Sequence, residues 1–142
     1  MTIQEKANEI VEEFELFENW LDKYNYIIEL GKELDGLDED HKTPKFLISG
    51  CQSQVWLTAE LKEGKVNFQA DSDAIITKGI VYLLIRVLSG QSPKDILEYD
   101  LEFLEKIGLK EHLSPTRSNG LSSMIKQMRL YALVYKTKQE QQ

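Results

Sequence analysis

The sequence predicts an α+β fold in which a small antiparallel sheet is packed on one face by several helices. Two observations carry this. Residues 55–70 alternate apolar and polar side chains on either side of a short turn, as a β-hairpin does. On both sides of that region, apolar residues recur at steps of three and four, the period of a helix with one buried face.

Taken in order, Ile3, Ala7, Ile10, Val11 and Phe14 give a first helix with acids on its outer face. Asn19 can cap a second. Its apolar positions are Trp20, Tyr24, Ile27, Ile28 and Leu34, with Gly36 as the terminating residue. Residues 35–42 are polar and read as loop, and Pro44 discourages helix in the segment that follows. Val55, Leu57, Ala59 and Leu61 then share one strand face, Trp56, Thr58, Glu60 and Lys62 the other. Glu63-Gly64 is the turn, and Val66, Phe68 and Ala70 alternate on the return strand.

Asp71-Ser72-Asp73 offers capping oxygens for a helix beginning near Ala74 and ended by Ser89-Gly90. It is apolar on most sides, which makes it the central core helix. Ser92-Pro93 opens a short helix to about Glu98. Asp100 can cap another that ends at Gly108. The last helix follows Ser114-Pro115, with Leu121, Met124, Ile125, Met128, Ala132 and Tyr135 in one stripe. Nothing divides the chain, so residues 1–142 read as one domain with a frayed polar tail from about Lys138.

Composition narrows the function. Seventeen Lys and Arg against 24 Asp and Glu leave a net charge of −7. Phosphate and anionic lipid surfaces need clustered cations, so this balance argues against nucleic-acid and membrane partners. The N-terminus has no basic segment followed by an apolar one. The longest apolar run, Ile80 to Ile85, is far short of the ~20 residues of a membrane span. With one cysteine, no internal disulfide can form, and the expected compartment is the reducing cytosol. No large exposed apolar stripe is evident, which favours a monomer.

Cys51 is the candidate reactive group. It follows Gly50 and precedes Gln52-Ser53-Gln54, on a loop just before the first strand. Functional residues concentrate on such loops, and a thiolate is a strong nucleophile. The bland alternative is a small buried hydrophobe. His41 and His112 lack metal-ligand spacing with Cys51, so no metal site is expected. A Cys–His dyad stays open on spacing alone. Asp71 and Asp73 could suggest a hard-cation site, but they lack the glycine and distal glutamate of a calcium loop, so helix capping is the simpler reading. Arg117 could meet a partner's carboxylate, lock onto Asp73, or stay solvated. Trp56, on the outer strand face, is expected to be covered by a helix.

Ile48-Ser49-Gly50-Cys51-Gln52-Ser53-Gln54-Val55-Trp56 resembles the active-site segment of the SufE family, the sulfur acceptors of the SUF iron–sulfur assembly system. Three further blocks resemble the same family in the same order: Tyr26 to Gly31, Asp71 to Ala74 with Lys78-Gly79, and Leu113 to Leu121 with Met124-Ile125. The similarity runs from about Ile10 to Tyr135. It implies an α+β fold like that of the IscU-type scaffolds. It implies a persulfide carrier and activator rather than a stand-alone enzyme. Cys51 would accept sulfur from the PLP-dependent cysteine desulfurase SufS and hand it to the SufBCD scaffold. The carrier needs no cofactor of its own, since the PLP belongs to the partner. Gly50, Gln52, Ser53, Asp73 and Arg117 fall on matching positions and would support the cysteine loop or the desulfurase contact. The related CsdE proteins pair with another desulfurase, CsdA; the Cys-Gln-Ser-Gln-Val-Trp string leans towards SufE. A stand-alone thiol enzyme and an interaction module with a structural cysteine are the alternatives from other classes. A persulfide is easily lost, so Gly50-Cys51 is expected at the end of an apolar hollow in the free protein.

Overall fold

A computed structural model describes residues 1–141. Thr2 caps α1 (Ile3–Phe14) through a reciprocal pair of hydrogen bonds with Glu5. α1 buries Ile3, Ala7, Ile10 and Phe14. The Asn19 side chain accepts from the Asp22 N–H and starts α2 (Trp20–Gly31). α2 stops five residues before Gly36, earlier than the sequence suggests. Lys32, Glu33 and Leu34 each donate a backbone bond three residues back, so the last turn tightens and ends the helix while Leu34 still packs on the core. A short 3-10 turn, Glu39–His41, interrupts the following loop.

Strand β1 (Val55–Lys62) pairs antiparallel with β2 (Lys65–Ser72), Val55 opposite Ser72 and Lys62 opposite Lys65. Glu63 and Gly64 both have positive φ (54° and 79°), as a two-residue hairpin turn requires. The chain also flanks both strands. Ile48 N donates to Val55 O (2.8 Å) and Leu57 N to Phe46 O (2.9 Å). On the other edge, Val66 N donates to Gln91 O (2.9 Å). Val55, Leu57, Val66, Phe68 and Ala70 point into the core. Trp56 is half-buried on the outer face, and the Lys42 ammonium lies over its ring, 5.8 Å from the centroid.

α3 (Ile75–Leu88) buries nine of its residues and is the central helix. The Asp71-Ser72-Asp73 run does not cap it: its N-cap is Ala74, without a side-chain bond. Asp71 and Ser72 instead end β2 and are buried. α2 crosses α3 at Gly31 and Gly79. A Cβ on Gly79 would lie 2.1 Å from Ile27 O, and one on Gly31 2.7 Å from Gly79 N, so the two backbones touch and no larger residue fits. Ser92 and Pro93 start α4 (Pro93–Glu98) as expected. Asp100 caps nothing. The chain takes a positive φ at Leu101 (61°), and two short helices follow, α5 (Phe103–Lys106) and α6 (Leu109–His112), separated by Gly108.

Ser114 caps α7 (Pro115–Glu140). This helix buries Leu121, Met124, Met128 and Ala132, and the Tyr131 and Tyr135 hydroxyls donate to β1 carbonyls at Leu57 and Ala59. It continues through residues 138–140 of the expected tail, where Lys136 pairs with Glu140 at 3.4 Å; Gln142 lies outside the described residues. The buried residues of these elements form one core, with α1, α3 and the inner sheet face at its centre. No helix among the described residues is long and apolar enough to cross a membrane.

Candidate functional site

The loop from Ser49 to Gln54 carries the thiol, and both of its ends are pinned. Before it, Ile48 is buried and laddered to Val55. After it, Gln54 N donates to Asp73 Oδ1 (3.0 Å), Asp73 N donates to Gln54 O (3.3 Å), and Ser72 Oγ also donates to Gln54 O (2.8 Å). Gly50 sits at φ 88°, which an L side chain rarely adopts, and a Cβ there would fall 2.6 Å from Ser123 Oγ. The glycine thus lets the loop fold back against α7.

Cys51 is half-buried as a result. Its thiol donates to the Gly120 carbonyl of α7 at 3.6 Å. Burial pushes the Cys51 thiol above its ordinary range, since the thiolate would lose solvation in this position. The closed loop therefore holds the protonated, less nucleophilic form.

Beside the sulfur is a hollow of about 70 Å³. Gln52, Ser53 and Arg117 line it, with Thr77 and Ile80 from α3 and Thr116, Gly120 and Met124 from α7. Its wall is mixed rather than apolar, because hydroxyl-bearing residues and a guanidinium stand alongside Ile80 and Met124. Of the residues singled out from sequence, Cys51, Gln52, Ser53 and Arg117 come together here. Gly50 and Asp73 stand outside the hollow and shape the loop. Arg117 does not lock onto Asp73; it is exposed and its Nη1 donates to the Tyr24 hydroxyl at 3.4 Å. Neither histidine lines the hollow. His41 packs against Phe46, and His112 stacks on Trp20 at 4.4 Å with Nδ1 2.8 Å from Gly108 O. A Cys–His dyad is thus absent from the closed site. Among the described residues no three His, Cys, Asp or Glu side chains gather as a metal site would require.

Gly120, Thr77 and Ser123 were not assigned roles from sequence. Gly120 did carry a signal, since a glycine inside a helical stripe marks a close approach by something else. Here that neighbour is the Cys51 sulfur, 3.6 Å from where a Cβ would be. Thr77 is a polar residue that α3 buries among its apolar ones.

Residues 8–132 match the family model SufE, described as an Fe-S metabolism associated domain. A SufE-like protein of Rhizobium etli is 42% identical over 132 residues, 89% of each chain. The solution structure of a hypothetical protein from Thermus thermophilus shares the fold, with a TM-score of 0.76 over 93% of this chain and 96% of its own, at 22% identity. The chain belongs to the SufE family, whose domain is associated with iron–sulfur metabolism.

Proposed function

We propose that this chain is a sulfur carrier of iron–sulfur cluster assembly, with Cys51 as the carrying atom. The thiolate of Cys51 attacks the outer sulfur of a persulfide on a PLP-dependent cysteine desulfurase, SufS. The donor's S–S bond breaks, its cysteine leaves as a thiolate, and Cys51 becomes the persulfide. No net oxidation or reduction occurs, so the carrier needs neither metal nor cofactor. The same exchange in the other direction delivers the sulfur to the SufBCD scaffold. Removing the persulfide from the desulfurase frees it for another turnover, which is the basis of activation. A lone thiol handling persulfide belongs in the reducing cytosol.

The observation that carries this reading is the size of the hollow beside the thiol. About 70 Å³ exceeds the roughly 10–15 Å³ that one water requires, so a second sulfur on Cys51 has room. It is well below the ~300 Å³ at which pockets begin to hold small-molecule substrates, which disfavours a stand-alone thiol enzyme. Gly50 and the hinge bonds at Ile48 and Gln54 suit a loop that shelters the sulfur at rest and swings out on docking. Arg117, on the wall of the hollow, offers a cation to an ionised persulfide, and Asp73 keeps the loop's C-terminal end in place.

The test is intact mass under non-reducing conditions after mixing the protein with SufS and L-cysteine. The wild type should gain one or more sulfur atoms, and Cys51→Ala none. A wild type that gains no mass beside an active desulfurase would overturn the carrier assignment for that partner, and the same assay with CsdA separates the two desulfurases.

A further inference from the structure

We infer that the groove between the α5–α6 segment and the far side of α7 is a binding site for a small organic oxyanion, a phosphate or carboxylate on an apolar body. The groove encloses about 370 Å³ and is lined by Asp100, Leu101, Lys110, Ile125, Lys126 and Arg129, with Ser122 at its edge. That volume falls in the range of small-ligand pockets, roughly 300–1,000 Å³. It lies apart from the sulfur hollow. Gly120 and Met124 face Cys51, whereas Ile125, Lys126 and Arg129 lie on the other side of the same helix.

The charge distribution is the first argument. α7 carries five Lys and Arg residues and one Glu, a balance of +4, in a chain of −7; the remainder of the chain is thus −11. An acidic protein has carboxylates to spare, yet among the described residues neither Lys126 nor Arg129 makes an ion pair. The groove's one carboxylate, Asp100, pairs with neither. Lys110 reaches only Glu105, at 3.7 Å.

The second argument is the state of Arg129. It is half-buried, and its Nη2 donates to the Tyr99 carbonyl at 2.7 Å, which fixes the plane of the guanidinium. Its Nε is buried without a hydrogen-bond partner among the described residues. A half-buried, anchored guanidinium with a donor left unpaired suits recognition of a planar or tetrahedral oxyanion. The buried Leu101 and the partly buried Ile125 supply the apolar floor beneath it. This inference stands independently of the sulfur-carrier reading, since no residue is shared between the two sites.

The experiment is an NMR titration of the full-length protein with phenyl phosphate and, separately, benzoate, against sodium chloride at matched ionic strength. The expected result is saturable shifts of the Leu101, Lys126 and Arg129 amides with at least one probe. In Lys126→Gln and in Arg129→Gln the affinity should fall at least tenfold, while Cys51→Ala should bind as the wild type does. Lys126 is exposed, so its variant keeps the test sound even if replacing Arg129 disturbs packing. Shifts that rise without saturating, that sodium chloride reproduces, or that centre on Arg117 and the Cys51 loop would overturn the site.

Discussion

Gly50→Ala strikes the sulfur loop at its most constrained point. At φ 88° an L residue loses roughly 1–2 kcal/mol relative to its ordinary conformations. The new Cβ would also sit 2.6 Å from Ser123 Oγ, so Ser123 must leave its rotamer at a cost of about 0.5–1.5 kcal/mol. Strain of about 2 kcal/mol in all has two outlets. Either the loop stays closed and global stability falls, or the loop opens and the Cys51 thiol leaves the Gly120 carbonyl. Urea unfolding reads the first and iodoacetamide alkylation of native protein reads the second. The variant should lose about 2 kcal/mol of stability or be alkylated roughly thirtyfold faster. In a Ser123→Ala background the effect should shrink by roughly 1 kcal/mol. An unchanged urea midpoint together with an unchanged alkylation rate would refute the strain argument. A penalty identical with and without Ser123 would refute its steric half.

Cys51 in the wild type should be alkylated more slowly in native protein than in urea at pH 7.5, because burial raises its pKa and the loop screens it; equal rates would argue against shelter. Asp71→Asn should destabilise the fold by about 2 kcal/mol, below the roughly 3–5 kcal/mol of a fully buried pair because Lys42 and Lys78 still reach water. Burial pushes the Asp71 carboxyl up, but Lys42, the Ser72 N–H and the Lys78 charge outweigh it and hold it below the usual carboxylate range. Its contribution is therefore present above the ordinary aspartate pKa and lost as pH falls through the lowered folded value, so Asp71→Asn should show a shallower acid limb in urea midpoints. Tyr26 is pushed up to about 12 by burial and by its hydrogen bond to Glu13. The folded value exceeds the unfolded one, so this stabilisation is complete below the ordinary tyrosine pKa and disappears as pH rises towards 12. Tyr26→Phe should lose less stability than wild type between about pH 10 and pH 12.

Local patterns made most of the fold legible. The hairpin was written in the alternation from Val55 to Ala70, and Asn19, Ser92 and Ser114 act as the caps their positions suggest. Readings failed where a distant partner decides. Asp71 looks like a capping residue until Lys42 and Lys78 arrive on either side of it. Asp100 looks like a cap until the chain turns through positive φ at Leu101. The sulfur loop was recognisable from its own string of residues. The wall facing it was not, because Thr77, Gly120 and Met124 come from helices 26 to 73 residues further along the chain and reach Cys51 only through the packing of α3 and α7. Of the three readings open for Arg117, the solvated one holds: it is exposed and bonds Tyr24 rather than Asp73.

Under the proposed carrier function, the anchoring of Ile48 sets a length scale for sulfur delivery. Ile48 is buried and bonded to the Val55 carbonyl, and Cys51 follows it by three residues. Three residues of fully extended chain span about 10 Å, so the Cys51 Cα cannot travel farther than that from Ile48 while the ladder holds. A donor with its sulfur in a deep cleft must bring the mouth of that cleft within this radius, and any acceptor must meet the same limit. Under the proposed function the loop works as a short leash, and sulfur moves between proteins only when the bodies themselves come nearly into contact around it.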